Sequence, residues 1–396
     1  MDYMYGLLDL NFWGYALVSF LMVQTTVLCV TLYLHRDAAH RGLDLHPALR
    51  HFARFWLWVS TGISTRQWVA IHRKHHARCE TPDDPHSPQV EGLKKVLLEG
   101  AELYQEEARN PETIEKYGRG TPDDWLERRF YTRQNLGITI FVITMLLLFG
   151  VPGIIMIAIQ MVSQPLLAAG IINGVGHYYG YRNFECDDAS RNVVPWGFLL
   201  GGEELHNNHH AFPSSAKFSI RPWEADIGWG AIVVLRTVGL AKVRRVAPVP
   251  VVEPGRRSID LETARAIIVN RMHVLRAYTR TVTLPVFKRE LAELKRRGMS
   301  LPSRARKLLI RQPALLEPGA DDRLRELLES SQALKTVHEF RERLRTLWDG
   351  ASLISNERLI AQLKEWCQQA EASGVRRLQE FAATLRGYTM PRGHAV

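Results

Sequence analysis

Two long segments of this 396-residue chain contain no charged side chain, and they constrain its fold more than any other feature. The first runs from Phe12 to Leu34, about 23 residues, which is enough for a helix to cross roughly 30 Å of hydrocarbon. The second stays apolar from Leu136 to Val175, with Gly150-Val-Pro-Gly153 in its middle. Because glycine and proline favour turns, we predict a helical hairpin there. The predicted membrane spans are about 12–34, 136–150 and 154–176.

The apolar segment 52–71, between these spans, carries Arg54, Arg66 and three tryptophans. Such residues are typical of a helix that lies at the membrane interface. No Lys or Arg precedes the first span, whereas eight lie between residues 36 and 78. The positive-inside rule therefore predicts a multi-pass protein of the cytoplasmic (inner) membrane, with an outside N-terminus and a cytoplasmic C-terminus.

Nine histidines fall into three short boxes and one single position, each beside an apolar segment. The second and third boxes have i, i+3, i+4 spacing, which puts three imidazoles on one helical face. The first pair is five residues apart, so its members converge only where a helix ends. Neutral imidazole is the usual protein ligand of iron, zinc and copper, and nine exceed what one ion uses. We therefore predict two metal ions bound by His35, His40, His72, His75, His76, His177, His206, His209 and His210.

The remaining six histidines are isolated in the sequence, and we expect surface or capped positions for them. They are His46, His51, His86, His273, His338 and His394.

The ligand pattern argues against two other classes of metal site. The zinc-protease motif His-Glu-x-x-His is absent, and one zinc ion needs only three or four ligands. Soluble di-iron carboxylate proteins use two Glu-x-x-His motifs, of which only Glu203 to His206 occurs here. Glu203 and Glu204 are instead candidates for accepting hydrogen bonds from ligand ring N–H groups. Solvated acids on a turn are an equal alternative for both.

The boxes resemble those of membrane fatty acid desaturases, in particular the Δ9 (stearoyl-CoA-type) acyl desaturases. The resemblance is carried by HRDAAH at 35–40, HRKHH at 72–76 and GEELHNNHHAFP at 202–213. NGVGH at 173–177, DDPHSP at 83–88 and GYRNF at 180–184 are similar to further stretches of that family. The resemblance covers residues 10–245. It implies an all-α integral membrane protein with a cytoplasmic histidine-box di-metal domain.

The resemblance also implies the chemistry. The nine boxed histidines would bind two iron ions, Asn173 would hold a water on one of them, and Asp84 would support the ligands. The activity implied is O₂-dependent insertion of a cis double bond, at Δ9, into a saturated acyl chain. Trp68 stands where the family's bent acyl tunnel has a tryptophan. Ala169 and Gly170 replace larger polar and aromatic residues of animal members, which predicts a looser tunnel wall.

Electrons must reach such a site from outside the chain, since the His-Pro-Gly-Gly stretch of a fused cytochrome is absent. We expect a ferredoxin-, rubredoxin- or cytochrome-type carrier with its reductase. Five basic residues near the boxes are candidates for attracting CoA or lipid phosphates, with membrane anchoring as the alternative. They are Arg36, Arg41, Arg66, Arg73 and Lys74.

The C-terminal third differs in character from the rest. We predict a membrane desaturase domain at 1–247, a proline-rich linker at 248–255 and a basic helical extension at 256–396. From residue 248 onward there are about 27 Lys and Arg against about 17 Asp and Glu, an excess as large as the formal net charge of +10. Predicted helices span 261–279, 284–297, 322–349 and 356–387, with breaks at 298–302 and 313–320.

The charge of this extension suits an acidic electron carrier, anionic lipid or nucleic acid. We predict a redox-partner surface and expect no nucleic acid; a solvated appendage without a partner is the alternative.

Two other functions fit parts of the pattern. A membrane di-iron alkane or lipid hydroxylase would share the metal site, and a non-catalytic lipid-sensing protein would share the spans. Hydroxylases usually have more spans and a different third box, which argues against the first. The full set of nine histidines and Asn173 argues against the second. The sequence leaves open the acyl carrier (CoA, acyl-carrier protein or phospholipid), the chain length and the oligomeric state.

Overall fold

A computed structural model describes residues 4–298, 304–311, 315–349 and 355–391. The described residues form two compact units. The first unit lies within Met1–Arg182 and Asp188–Ala247, and the second lies within Asn183–Asp187 and Pro248–Ala395. Secondary structure is mostly helical and the strands are two or three residues long, which agrees with the predicted all-α class.

The first unit begins with helix α1, Phe12–Leu28, which starts where the Asn11 side chain accepts a hydrogen bond from the Gly14 N–H. It continues without a break as a π-helix, Cys29–Ala39. In a π-helix each N–H binds the carbonyl five residues earlier. The His40 N–H accordingly donates to the His35 carbonyl at 3.0 Å. The first apolar segment therefore ends in a wider helix than its sequence suggested.

The predicted single interfacial helix 52–71 is wrong, because the chain forms two helices here. Helix α2 spans Pro47–Thr61 and helix α3 spans Thr65–Arg78. Gly62 ends α2 in the left-handed conformation, with φ of 68°. Glycine adopts that conformation at little cost, so the chain turns there and α3 starts in a new direction.

The second apolar segment forms helix α7, Gln134–Gln164, followed by a π-helix, Pro165–Gly174, and a 3₁₀ turn, Val175–His177. Helical geometry is interrupted at Gly150, where φ is 57° and ψ is −135°. The N-terminal segment covers this interruption, since the Val151 N–H donates to the Met4 carbonyl at 2.8 Å.

Two helical stretches of the described chain are long and apolar enough to cross a membrane, Phe12–Ala39 and Gln134–His177. Both leave large apolar side chains exposed, for example Trp13 and Leu147. Exposed apolar surface of this extent is typical of contact with lipid. Between them, buried Gln160 and half-buried Trp56 both donate hydrogen bonds to the Thr26 hydroxyl, at 2.7 and 2.8 Å.

Shorter elements complete the first unit. Its other helices are α4 (Leu93–Leu98), α5 (Gly100–Ala108), α6 (Pro111–Tyr117), a π-turn (Glu127–Tyr131), α8 (His206–Ala211) and α9 (Ile227–Thr237). Its strands are β1 (Leu43–Leu45), β2 (Trp196–Gly197), β3 (Ala225–Asp226) and β4 (Ala241–Val243). β1 pairs antiparallel with β4, Leu43 opposite Val243, and β2 pairs parallel with β3, Trp196 opposite Ala225.

The second unit is a helical domain with its own core. Trp366 lies at the centre of that core and donates its indole N–H to the Phe340 carbonyl at 3.0 Å. The helices are α10 (Leu261–Val269), α11 (Arg271–Tyr278), a π-turn (Thr279–Thr283), α12 (Leu284–Arg296), α13 (Ala305–Ile310), α14 (Ala320–Glu329), α15 (Gln332–Asp349), α16 (Asn356–Ala372) and α17 (Arg376–Arg386). Strand β5 (Val251–Val252) pairs antiparallel with β6 (Tyr388–Thr389).

Three of the four helices predicted for this region are each two shorter helices, with breaks at Asn270, between α14 and α15, and between α16 and α17. Parts of the predicted breaks 298–302 and 313–320 lie outside the described residues. The loop Asn183–Asp187 belongs to this unit, and its Phe184 is buried edge-to-face on His273, with ring centroids 5.2 Å apart.

Replacing Gly150 with alanine should lower the free energy of unfolding by roughly 1–3 kcal/mol, since its backbone conformation is nearly exclusive to glycine. The new Cβ would also lie 2.2 Å from the Met4 carbonyl oxygen. Gly230→Ala in α9 is the matched control, because its Cβ would meet nothing within 4 Å. Thermal unfolding of both variants in detergent tests this expectation, and equal melting temperatures would contradict it.

Candidate metal centre

The eight histidines of the boxes and the single His177 lie together in two adjacent groups. Within each group one ring nitrogen per residue lies within 4.8 Å of all the others. The five-histidine group is His35, His40, His72, His76 and His209, and the four-histidine group is His75, His177, His206 and His210.

The π-helix explains how the first box enters the site. His35 and His40 are five residues apart, which is close to one turn of a π-helix. Their ring centroids are 5.0 Å apart, so both imidazoles reach the five-histidine group. Sequence periodicity missed this because it assumed an ideal α-helix.

Helices α3 and α8 each contribute to both groups. On α3, His72 and His76 enter the five-histidine group, whereas His75 enters the four-histidine group. On α8 the division is reversed. His209 enters the five-histidine group, and His206 and His210 enter the four-histidine group. The groups meet where the rings of His76 and His210 stack, with centroids 4.3 Å apart.

Ring nitrogens converge in both groups. The Nε2 atoms of His40 and His72 are 2.7 Å apart, those of His209 and His35 are 3.0 Å apart, and those of His209 and His76 are 2.9 Å apart. In the four-histidine group the corresponding pair is His177 and His206, at 2.8 Å. Two nitrogens that bind one ion at roughly 2.1 Å, at right angles, lie about 3 Å apart. The spacing therefore fits transition-metal ligands.

Burial keeps most of these imidazoles neutral, which is the state that binds metal. It holds the pKa values of His40, His72 and His76 well below the usual range, and it does the same for His206 and His209. The pKa of His210 falls to about 4 for the same reason, although Asp188 opposes the shift. Its Nε2 is buried without a hydrogen-bond partner in the described structure, as expected of a ligand nitrogen.

Four of the nine histidines donate from Nδ1 to a carboxylate, which fixes the tautomer and directs Nε2 toward the site. The pairs are His35 with Glu203 at 2.7 Å, His75 with Asp84 at 2.9 Å, His177 with Glu80 at 2.8 Å and His210 with Asp188 at 2.8 Å.

Sequence reasoning named Glu203 and Asp84 but missed Glu80 and Asp188. Glu80 follows the second box by four residues, and this closeness in sequence was a weak indication that its carboxylate lies near the site. Asp188 lies 22 residues from its partner in the chain, and nothing in the sequence connects them.

Glu204 has a different role from the one predicted. Its carboxylate accepts hydrogen bonds from the backbone N–H groups of Leu199 and Leu200, at 3.1 and 3.0 Å. Burial raises its pKa. Its hydrogen bonds in the described structure stabilise the turn before the third box and reach no imidazole.

The prediction that His86 is a surface or capped histidine is wrong. It is buried, and its ring stacks on His75 with centroids 4.6 Å apart. Burial lowers its pKa to about 3, and the nearby His75 adds to the shift. His86 therefore packs as a neutral ring behind a ligand of the four-histidine group.

Three of the basic residues considered for phosphate binding form ion pairs or hydrogen bonds with other residues of the protein. Arg36 is fully buried and pairs with Asp226 at 2.9 Å. Arg73 donates to four backbone carbonyls, including that of Ala39 at 3.0 Å. Lys74 pairs with Glu107 at 2.9 Å.

The candidate tunnel residues lie in two places. The half-buried Trp68 stacks on His72 with ring centroids 4.8 Å apart. Ala169 and Gly170 lie in the π-helix after α7, where a Cβ on Gly170 would be 3.3 Å from Leu97 Cδ2. Asn173 is half-buried in the same π-helix, four residues before His177.

Comparison with known proteins assigns the first unit to a protein family. The family model "Fatty acid desaturase" matches residues 10–225, more than half of the chain. The chain belongs to the fatty acid desaturase family. It is therefore membrane-associated and an oxidoreductase of the fatty acyl desaturase class. This confirms the resemblance seen in the boxes and favours desaturation over hydroxylation.

Individual relatives agree with the family. The chain is 30% identical to "Delta-9 acyl-lipid desaturase 1" of Arabidopsis thaliana over 58% of its own length and 74% of the relative. It is 32% identical to "sn-2 palmitoyl-lipid 9-desaturase" of Nostoc sp. (strain 36), over 54% and 75%. It is 29% identical to the "Probable lipid desaturase ADS3.2, chloroplastic" of Arabidopsis thaliana, of which it spans only 59%.

The second unit resembles a different family. The family model "Transposase" matches residues 260–390, about a third of the chain. This likeness covers α10 to α17 and none of the metal-site histidines.

Removing one imidazole from either group should lower the iron content of the purified protein. We expect His209→Ala and His206→Ala each to reduce it, because each deletes a buried candidate ligand nitrogen from a different group. His51→Ala is the control, since His51 is exposed and outside both groups. Elemental analysis by mass spectrometry gives the ratio of iron to protein, and full iron in both site variants would contradict the assignment.

Proposed function

We propose that this protein is an O₂-dependent di-iron desaturase that introduces a cis double bond at Δ9 of a saturated acyl chain. The observation that carries the proposal is the convergence of nine imidazoles, seven of them on buried residues, in two adjacent groups. The balanced reaction consumes one O₂, two electrons and two protons, and releases the monounsaturated chain and two waters. The names of the Δ9 relatives support the position of the double bond.

The five- and four-histidine groups would each hold one iron, with Asn173 holding a water on one of them. Bound iron with O₂ supplies the oxidant that an unactivated methylene requires and that no side chain provides. The chain's own residues do the rest. Neutral imidazoles supply nitrogen ligands, the carboxylates on Nδ1 fix their orientation, and burial excludes water from the reacting carbons.

We propose that the acyl chain passes beside the metal site along Trp68, with Ala169 and Gly170 near the same path. Adjacent methylenes differ little in reactivity, so a rigid apolar wall must set which carbons react. Burial in such a path stabilises the chain by about 0.8 kcal/mol per CH₂. Trp68 is suited to this role because its ring lies flat against His72.

We propose three membrane crossings, with the break at Gly150 separating the second and third. The protein would be a multi-pass protein of the cytoplasmic membrane with its histidines on the cytoplasmic side. Lysine and arginine after the first span support this orientation. In domain terms, 1–247 would be the catalytic domain, 248–255 the linker and 256–396 the extension.

For the extension we propose docking of a separate acidic electron carrier of the ferredoxin, rubredoxin or cytochrome type. Exposed cationic side chains occur along α11, the following π-turn and α12, including Arg271, Arg280 and Lys288. The likeness of residues 260–390 to a transposase favours a second candidate for this unit alone, which is binding of nucleic acid.

Expression in a host without desaturases, followed by fatty acid analysis with double-bond location, tests the activity. The wild type should produce Δ9 monoenes. Trp68→Ala should give a mixture of double-bond positions while iron content is kept, because a guiding wall is lost. Trp125→Ala, at an exposed tryptophan, is the control and should match the wild type. Hydroxylated chains in place of monoenes would contradict the proposal.

Charge reversal of the extension tests carrier docking. The triple variant Arg271→Glu, Arg280→Glu, Lys288→Glu should raise the KM for the carrier and leave kcat unchanged at saturating carrier. Rising salt should likewise raise the KM of the wild type for the carrier, because surface charges are screened over roughly 8 Å at physiological ionic strength. Lys94→Glu, at an exposed lysine of the first unit, is the control. An unchanged KM together with lost binding to labelled duplex DNA would favour the nucleic acid candidate instead.

A further inference from the structure

We propose that the two metal positions are unequal, and that Glu80, Asp84 and Asp188 act as positioning residues that make the four-histidine group hold its iron more tightly and oxidise it more readily. This inference rests on the proposed di-iron function. Three of that group's four imidazoles are backed by a carboxylate, against one of five in the other group.

Each of the three carboxylates is fixed by the backbone as well as by its histidine. Asp84 accepts hydrogen bonds from the N–H groups of Glu80 at 2.8 Å and His86 at 3.2 Å. Asp188 accepts one from the N–H of Ser190 at 2.9 Å. These contacts leave one oxygen of each carboxylate directed at an imidazole Nδ1.

Glu80 is held in a costly conformation. Its φ is 64°, in the left-handed region that a non-glycine residue seldom adopts. Its Oε1 accepts hydrogen bonds from both His177 Nδ1 at 2.8 Å and the Ala189 N–H at 3.1 Å. The backbone strain and the double use of one oxygen place this carboxylate specifically behind His177.

The five-histidine group has fewer carboxylate partners among the described residues. Glu203 is its one carboxylate partner, through His35. The Nδ1 of His209 is buried without a hydrogen-bond partner in the described structure, as is the Nδ1 of His206 in the four-histidine group. The electrostatic environment of this group is therefore less favourable to a cation.

The difference matters because a carboxylate on Nδ1 makes the imidazole a stronger electron donor. Stronger donors and nearby negative charge stabilise the higher charge of ferric iron over ferrous iron. The four-histidine position should then bind iron first and lose an electron first when an external one-electron oxidant is added.

The test compares Glu80→Gln and Asp188→Asn with the matched control Glu203→Gln, all in the full-length protein loaded with ⁵⁷Fe. The amides keep the size of the side chain and remove its charge. Mössbauer spectra follow stepwise oxidation by ferricyanide, and a competing chelator measures iron retention. In the wild type one ferrous doublet should disappear before the other.

Glu80→Gln and Asp188→Asn should each weaken retention of that early-oxidised iron by about 10–100-fold and delay its oxidation. Glu203→Gln should instead weaken the other iron and widen the separation between the two steps. Two doublets that oxidise together in the wild type, or the same iron affected by all three variants, would overturn this inference and leave the di-iron proposal intact. A wild type that binds no iron would refute the di-iron proposal itself.

Discussion

Convergence of neutral imidazoles in a buried volume is the constraint on which the rest of the structure depends. Seven of the nine rings have a nitrogen 2.7–3.0 Å from that of another ring, and they cannot all satisfy one another, since a neutral imidazole has one donor and one acceptor. A bound cation satisfies several lone pairs at once. Burial keeps six of the rings neutral, and carboxylates orient four of the nine, an arrangement suited to presenting lone pairs to metal.

The surrounding fold serves that arrangement. The apolar helix α1 changes to a π-helix as it nears the site, and this change brings His35 and His40 onto one side. Helices α3 and α8 each divide their histidines between the two groups and so join them. Asp188 directly follows the loop Asn183–Asp187, which belongs to the second unit.

Much of this was accessible from sequence. The uncharged segments and the histidine spacing predicted the apolar helices and the clustered ligands, because both features depend on local sequence. The family was predicted from the resemblance of the histidine boxes to those of known desaturases. The π-helix, the break at Gly62 and the division of the second and third boxes between the two groups were not predicted, because an ideal α-helix was assumed. Asp188 and the buried His86 depend on contacts between distant segments, and single-sequence patterns carry no information about such contacts.

The central claim is that the chain holds two irons, one in each histidine group. An anomalous difference map, measured at the iron absorption edge from crystals of the iron-loaded protein, tests it most directly. Two peaks should appear, one among the five-histidine ligands and one among the four-histidine ligands. A single peak shared by all nine residues, or peaks away from them, would contradict the account.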